Sequence, residues 1–234
     1  HGQASTNFKA NTEVKAKTDK KARRKRKDSA SNHEQNRPDA KKLVFTDLTT
    51  RQVIYDILVA VEEGIHFDKA LADNQVLPKL DDRDRRFVRL LTTTSLRFRG
   101  QLEKVLAPLL ARRPFGAQAN ANLILLMGAA QLLILKTGAH AAVNSTVELM
   151  RQAGFERLCG LTNAVMRRLT RDGEELFAAT NVGDNLPDWL KQSWGYYWGD
   201  AVAMAIADLA VLPPPLDISV KGDATAWAET LEAR

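Results

Sequence analysis

From Thr46 onward the apolar residues recur with a period near 3.6, which is the spacing of one helix face. Val53, Ile54, Ile57, Leu58 and Val61 form the first stripe. Thr49-Thr50-Arg51-Gln52 precedes it as a capping box, and Gly64 ends it. A short helix is predicted through Phe67 to Val76. Asp81-Asp82 opens a third, where acids favour the positive end of the helix dipole, and Phe87, Val88, Leu90, Leu91, Thr94 and Leu96 carry it on. Leu102 to Leu110 reads as a fourth helix, stopped by Arg112-Arg113-Pro114.

The stretch Ala117 to Leu135 is apolar almost all round, the pattern of a central helix buried on every side. Gly128, Ala129 and Ala130 within it predict close approach of a neighbouring helix. Val143 to Met150 and Leu161 to Leu169 add two amphipathic segments. Six or seven helices with short connections and no alternating pattern imply an all-α bundle. Beyond it, Gly, Asn and Asp cluster over Asp172 to Asn185. Pro187-Asp188-Trp189-Leu190 then starts a helix, and Asp200 to Leu212 makes another, stopped by Pro213-Pro214-Pro215. Leu216-Asp217-Ile218-Ser219-Val220 alternates like a strand, and Asp223 caps a helix over Ala224 to Ala233. The expected partition is a tail over 1–45, an all-α domain over 46–172, a linker over 173–186, and over 187–234 the start of an α+β subdomain that ends before it can close a sheet.

Charge separates the tail from the rest. Residues 1–42 hold 13 Lys/Arg against 5 Asp/Glu, whereas residues 43–234 hold 21 against 23. The tail has too few large apolar side chains to offset the entropy of ordering it, so it is expected to be disordered. Its run Lys20 to Lys27, with Lys25 and Arg26 at the densest point, suits phosphate attraction without sequence choice, or simple solubilisation. The longest apolar run, Leu123 to Leu135, is 13 residues. A bilayer crossing needs about 20, so no membrane partner is expected. No secretory signal is visible, and the single cysteine, Cys159, excludes an internal disulfide and a Cys-based zinc site, so a reducing, cytoplasmic setting is expected. The chain opens on His1 and stops at Arg234 inside a helical pattern, and so reads as a piece of a longer protein.

Candidate chemistry is sparse. Cys159 sits at a helix-loop junction without a basic cluster to activate it and reads as a structural thiol. His140 stands at a helix entrance, placed to bond a free backbone group. There is no metal-binding motif and no glycine-rich phosphate loop. The arginines are more suggestive: Arg83, Arg85, Arg86 and Arg89 on one helix, interleaved with acids; Arg97 and Arg99 at its end; Arg112 and Arg113 after the next; and Arg167, Arg168 and Arg171 late in the last bundle helix. Each cluster fits a solvated helix face, and several converging on one face would fit RNA.

Three separated motifs go further. Asp82-Arg83-Asp84-Arg85-Arg86-Phe87 through Thr92-Thr93-Thr94-Ser95-Leu96-Arg97 and Gln101 to Leu110 make the first; Met127 to Leu133 with Ala139-His140-Ala141-Ala142-Val143-Asn144-Ser145-Thr146-Val147-Glu148-Leu149 the second; Leu161-Thr162-Asn163-Ala164-Val165-Met166-Arg167-Arg168-Leu169 the third. In order and spacing they resemble the N-terminal region of the bacterial RsmB (Fmu, Sun) family of ribosomal RNA cytosine methyltransferases, over roughly residues 48–234. The resemblance implies a helical domain like the antitermination factor NusB, followed by a small RNA-binding α+β subdomain. It also implies a later Rossmann-like domain that binds S-adenosylmethionine and uses a cysteine nucleophile. Nothing in this chain matches that domain's Pro-Cys motif or cofactor loop, so Cys159 is not given that role, and no catalytic, cofactor or metal residue is expected here.

The RNA-contact candidates are Arg97, Arg99, Arg112, Arg113, Arg167, Arg168, Lys25 and Arg26. The implied partners are small-subunit ribosomal RNA and a catalytic domain beyond this chain. A stand-alone NusB-like RNA-binding module in antitermination or ribosome assembly, and a protein-docking bundle whose arginines only solvate it, are the rival readings. Asn144 and Asn163 each stand beside a small residue and an apolar helix and are expected to serve helix capping and close packing rather than RNA contact.

Overall fold

The computed structural model describes residues 40–111, 114, 116–214 and 219–230. Ten α-helices are present among them: α1 Ala40–Glu62, α2 Phe67–Asp73, α3 Asp82–Arg97, α4 Arg99–Leu106, α5 Ala121–Leu133, α6 Ala139–Gln152, α7 Cys159–Ala178, α8 Asp188–Trp198, α9 Asp200–Val211 and α10 Ala224–Thr230. The chain divides between Asp47 and Leu48, and residues 48–234 form one compact unit. Of the expected tail, everything before Ala40 lies outside the described residues. The strand expected at Leu216 to Val220 also falls mostly outside them. Ser219 and Val220 carry no regular structure, and no strand occurs among the described residues.

α5 is the axis of the bundle, and α3, α4, α6 and α7 all pack against it. Ala121 and every residue from Leu123 to Leu133 are buried, as its all-round apolar pattern requires. Val53, Ile54, Ile57 and Leu58 of α1 join the same core, as do Val88 and Leu91 of α3, Leu149 and Met150 of α6, and Val165, Met166 and Leu169 of α7. Gly128 sits where α5, α6 and α7 meet. A Cβ there would stand 2.7 Å from Met166 Sδ and 2.9 Å from Thr146 Oγ1, so the missing side chain is what lets the three helices close. Gly128→Val overpacks this junction and is expected to lower stability by about 1–3 kcal/mol, several degrees in the thermal midpoint. An unchanged midpoint would refute the close-approach account.

The helix boundaries differ from the pattern in instructive places. α1 begins before the expected capping box, and the boundary at 45/46 falls inside it. Thr50 and Arg51 are buried mid-helix, and Gln52 Nε2 donates 2.8 Å to Asp56 Oδ1 one turn on instead of reaching back. The fourth helix ends at Leu106 and continues only as a 3₁₀ turn, Ala107–Leu109, because Pro108 has no N–H for an α ladder. Over 173–186, where composition predicts a linker, α7 continues to Ala178. A 3₁₀ turn, Val182–Asn185, follows, capped by Asn181 Oδ1, which accepts from the Gly183 N–H at 2.8 Å.

That turn is docked on the bundle. The Gln101 N–H donates to Asn185 Oδ1 at 2.9 Å, Asn185 Nδ2 to Gln101 Oε1 at 2.7 Å, and Gln101 Nε2 to Thr180 Oγ1 at 2.8 Å. Lys104 Nζ pairs with Asp184 at 2.6 Å. Burial works against the Asp184 carboxylate, but the Lys104 ammonium and the Asn181 N–H outweigh it and hold its pKa below the ordinary carboxylate range. α9 packs on this turn and on α8, with Gly199 (φ +82) making the reversal between the two helices. Trp189 and Tyr196 of α8, and Val202 and Leu209 of α9, remain exposed. α10 begins as expected, the Thr225 N–H donating to Asp223 Oδ1 at 2.9 Å.

Candidate nucleic-acid interface

α3 is built as an amphipathic helix with an acidic start. Asp81 caps it, accepting from the Asp84 N–H at 2.7 Å. Arg85 is turned back onto the preceding loop, donating to Leu80 O at 2.9 Å and pairing with Asp82. Val88, Leu91, Thr92, Thr94 and Ser95 are buried, and the hydroxyls that enter the core are satisfied within the helix, Thr92 Oγ1 on Val88 O at 2.7 Å and Ser95 Oγ on Leu91 O at 2.8 Å. At 3.6 residues per turn this leaves Arg83, Arg86, Arg89, Leu90 and Arg97 together on the opposite side. Arg83, Arg86 and Arg89 are exposed and Arg97 is half-buried. Among the described residues, the four guanidinium groups have neither an ion pair nor a hydrogen-bond acceptor.

The other arginines divide by what they touch. Arg99 is engaged on both sides: Nη1 lies 2.6 Å and Nη2 3.0 Å from the Glu62 carboxylate, and Nε 3.0 Å from Glu103. These carboxylates raise its pKa further, and the fork ties α4 to α1. It also stands at the mouth of a cavity of about 390 Å³ walled by Leu106, Leu123 and Leu126. Among the described residues, the charged side chains lining that cavity are Arg99, Glu62 and Glu103. Arg167 and Arg168 are exposed on α7, with Arg168 near Asp172, while Arg171 is paired with Asp172 at 2.8 Å. Arg112, Arg113, Lys25 and Arg26 lie outside the described residues.

The capping expected of two asparagines is corrected. Asn144 is on the second turn of α6 and exposed, its Nδ2 3.3 Å from His140 Nδ1, so that neither residue serves the helix end. Asn163 is likewise inside α7, which starts at Cys159. Capping is impossible at both because these helices begin four or five residues earlier, and Gly138 and Leu158 hold the cap positions without a side-chain bond. The structural reading of Cys159 fits its place, half-buried with Sγ 3.8 Å from Val147 O. Among the described residues no group of three or more His, Cys, Asp or Glu side chains could hold a metal, and no helix is long and apolar enough to cross a membrane.

One buried cation escaped the sequence reading. Arg51 is 4% exposed, with Nη2 2.9 Å and Nε 3.2 Å from Gln131 Oε1 and its guanidinium 5.4 Å from the centre of the Phe87 ring. It fastens α1 to α5 and α3. The signal in the sequence was Gln131 itself, a polar residue in the one helix buried on all sides, where it demands a buried partner.

The described residues thus form an all-α bundle wrapped around one apolar helix, braced by a buried Arg–Gln pair and carrying an arginine face without ion pairs. Its residues 48–171 match the model of the NusB family, and the chain belongs to that family. It is also similar to proteins named "Ribosomal RNA small subunit methyltransferase B": 34% identical over 134 residues to that of Xanthomonas campestris, 32% over 181 residues to that of Xylella fastidiosa, and 31% over 154 residues to that of Klebsiella pneumoniae. These matches cover 57%, 76% and 61% of the chain, but only 30%, 42% and 35% of the relatives' lengths.

Proposed function

We propose that this chain is the RNA-binding N-terminal part of an S-adenosylmethionine-dependent enzyme that methylates carbon five of a cytosine in small-subunit ribosomal RNA, and that it works in the cytoplasm. The observation that carries the reading is the joint match: a NusB-family bundle within a chain whose similar proteins are named as ribosomal RNA methyltransferases. Methyl transfer belongs, on this reading, to a domain outside these residues. No chemical step is assigned to this unit. Its part is to hold RNA by positive charge, through Arg97, Arg167 and Arg168 on the bundle, with Arg112, Arg113, Lys25 and Arg26 contributing from segments outside the described residues.

Filter binding of a small-subunit ribosomal RNA fragment tests this. Affinity is expected to fall about 100-fold between about 50 and 200 mM salt, as four or so phosphate contacts require, and Lys25→Gln with Arg26→Gln is expected to flatten that dependence. Absence of binding, or binding indifferent to salt, would overturn the reading.

A further inference from the structure

Among the described residues, the exposed face of α3 carries Arg83, Arg86, Arg89 and Arg97 without an ion pair. We propose that this face grips the sugar-phosphate backbone of double-helical RNA; the inference rests on the RNA-binding reading above and names the form of RNA that the bundle holds.

Four features carry it. First, the arginines share one side of the helix: Arg83, Arg86, Arg89 and Arg97 fall within an arc of about 120° and extend over about 21 Å of helix axis, a slanted rail of cations. Second, the acids that interleave with them in sequence do not cancel them in space. Asp81 serves as the helix cap and Asp82, although on the same side, is paired with Arg85. Asp84 lies on the opposite side of the helix from the rail.

Third, the helix dipole accounts for Arg97, in the last turn, but not for the other three arginines. Cations gain from the C-terminal end of a helix, yet Arg83 occupies the first turn, where the dipole is positive and a cation is unfavourable, and Arg86 and Arg89 lie beyond the reach of either end. A ligand for this face must be an anion long enough to meet several arginines at once.

Fourth, the rail contains no aromatic ring. Besides Asp82, its remaining members are Leu90, 50% exposed, and Thr93. Single strands are held largely by stacking of bases on aromatic side chains, and this face offers nothing to stack on. A duplex presents stacked bases inward and phosphates and 2′-hydroxyls outward, which suits guanidinium groups reading shape instead of sequence.

The test uses the full chain and two triple variants of equal net charge. One removes the rail, Arg83→Gln, Arg86→Gln and Arg89→Gln. The other removes three cations already paired with acids elsewhere, Lys69→Gln, Lys136→Gln and Arg151→Gln. The probes are an RNA hairpin with a stem of about 20 base pairs and an oligouridine with as many phosphates, each titrated at several salt concentrations. Glutamine keeps helix propensity close to that of arginine, and a thermal melt of each variant checks the fold.

The unchanged chain is expected to prefer the hairpin. The rail variant is expected to lose about 10-fold or more in hairpin affinity, with the slope of log affinity against log salt flattened by about 2.7, while the control stays within about twofold of the unchanged chain. Equal losses in both variants, no loss in the rail variant, or a preference for oligouridine overturns the assignment of the duplex to α3. Failure of the unchanged chain to bind either RNA would instead bring down the RNA-binding reading itself.

Discussion

Alanine at position 100 releases the Val182–Asn185 turn, and with it the α8–α9 pair, from the bundle. Gly100 lies in the first turn of α4, and a Cβ built on it would stand 1.8 Å from Asp184 O, 2.5 Å from the carbon of the same carbonyl and 3.0 Å from Asn185 Cα. All three are backbone atoms, so no side chain can swing away and one of the two segments has to move. The segment that moves is the turn, because α4 is anchored by the buried Gln101, Leu102, Val105 and Leu106, whereas only Gly183 of the turn is buried. Its displacement breaks the Gln101–Asn185 pair of hydrogen bonds, the Gln101–Thr180 bond and the Lys104–Asp184 pair.

At about 1 kcal/mol net for each hydrogen bond, docking weakens by about 3 kcal/mol, which raises local opening about 100-fold. Limited proteolysis reads this directly: cleavage between residues 179 and 187 accelerates by that factor while α5 to α7 stay protected. Equal protection in Gly100→Ala and the unchanged chain would show that the turn is not held where the geometry places it.

Arg51→Leu gives the second large effect, a loss of about 3 kcal/mol in urea unfolding, or roughly 6–12 °C in a unit of this size. Hydrogen bonds to a charged donor are the strong ones, and the substitution removes the two that reach Gln131 Oε1 together with the contact to the Phe87 ring. Part of the loss comes from the acceptor left behind. Gln131 is 1% exposed, so water cannot replace the lost donor. Adding Gln131→Leu removes the stranded acceptor as well, and the double variant is therefore expected to recover about 1 kcal/mol over Arg51→Leu alone. A single-variant loss below about 1 kcal/mol, or strictly additive effects in the double, would show that the pair is not the brace described here.

Both residues show where reading along the chain stops. Gly100 sits in Phe98-Arg99-Gly100-Gln101, and nothing within that stretch announces the backbone of residue 184 beside it. Arg51 stands in a segment with the form of a capping box, and only the passage of α1 along α5 turns it inward. Arg99 is the opposite case. In sequence it matches Arg97, but Glu62 is 37 residues away and occupies its fork, so the two arginines belong to different categories. Arg83, Arg86 and Arg89, discounted among neighbouring acids, emerge as the free charges once Asp81 and Asp82 are seen to be engaged elsewhere.

The amino-acid sequence alone determined the helical class of residues 48–171, the identity of the central helix, the close approach at Gly128 and the kinship of the bundle. These are sums over many local positions, and a 3.6-residue period survives an error at any one of them. The tertiary structure alone decided which cations are free, which polar groups must stay paired in the core, and how the stretch after α7 is tied to α4. Those depend on single pairings between residues 37 to 84 positions apart. Coulomb and hydrogen-bond energies are set by distances of a few ångströms, and periodicity along a chain carries no information about them.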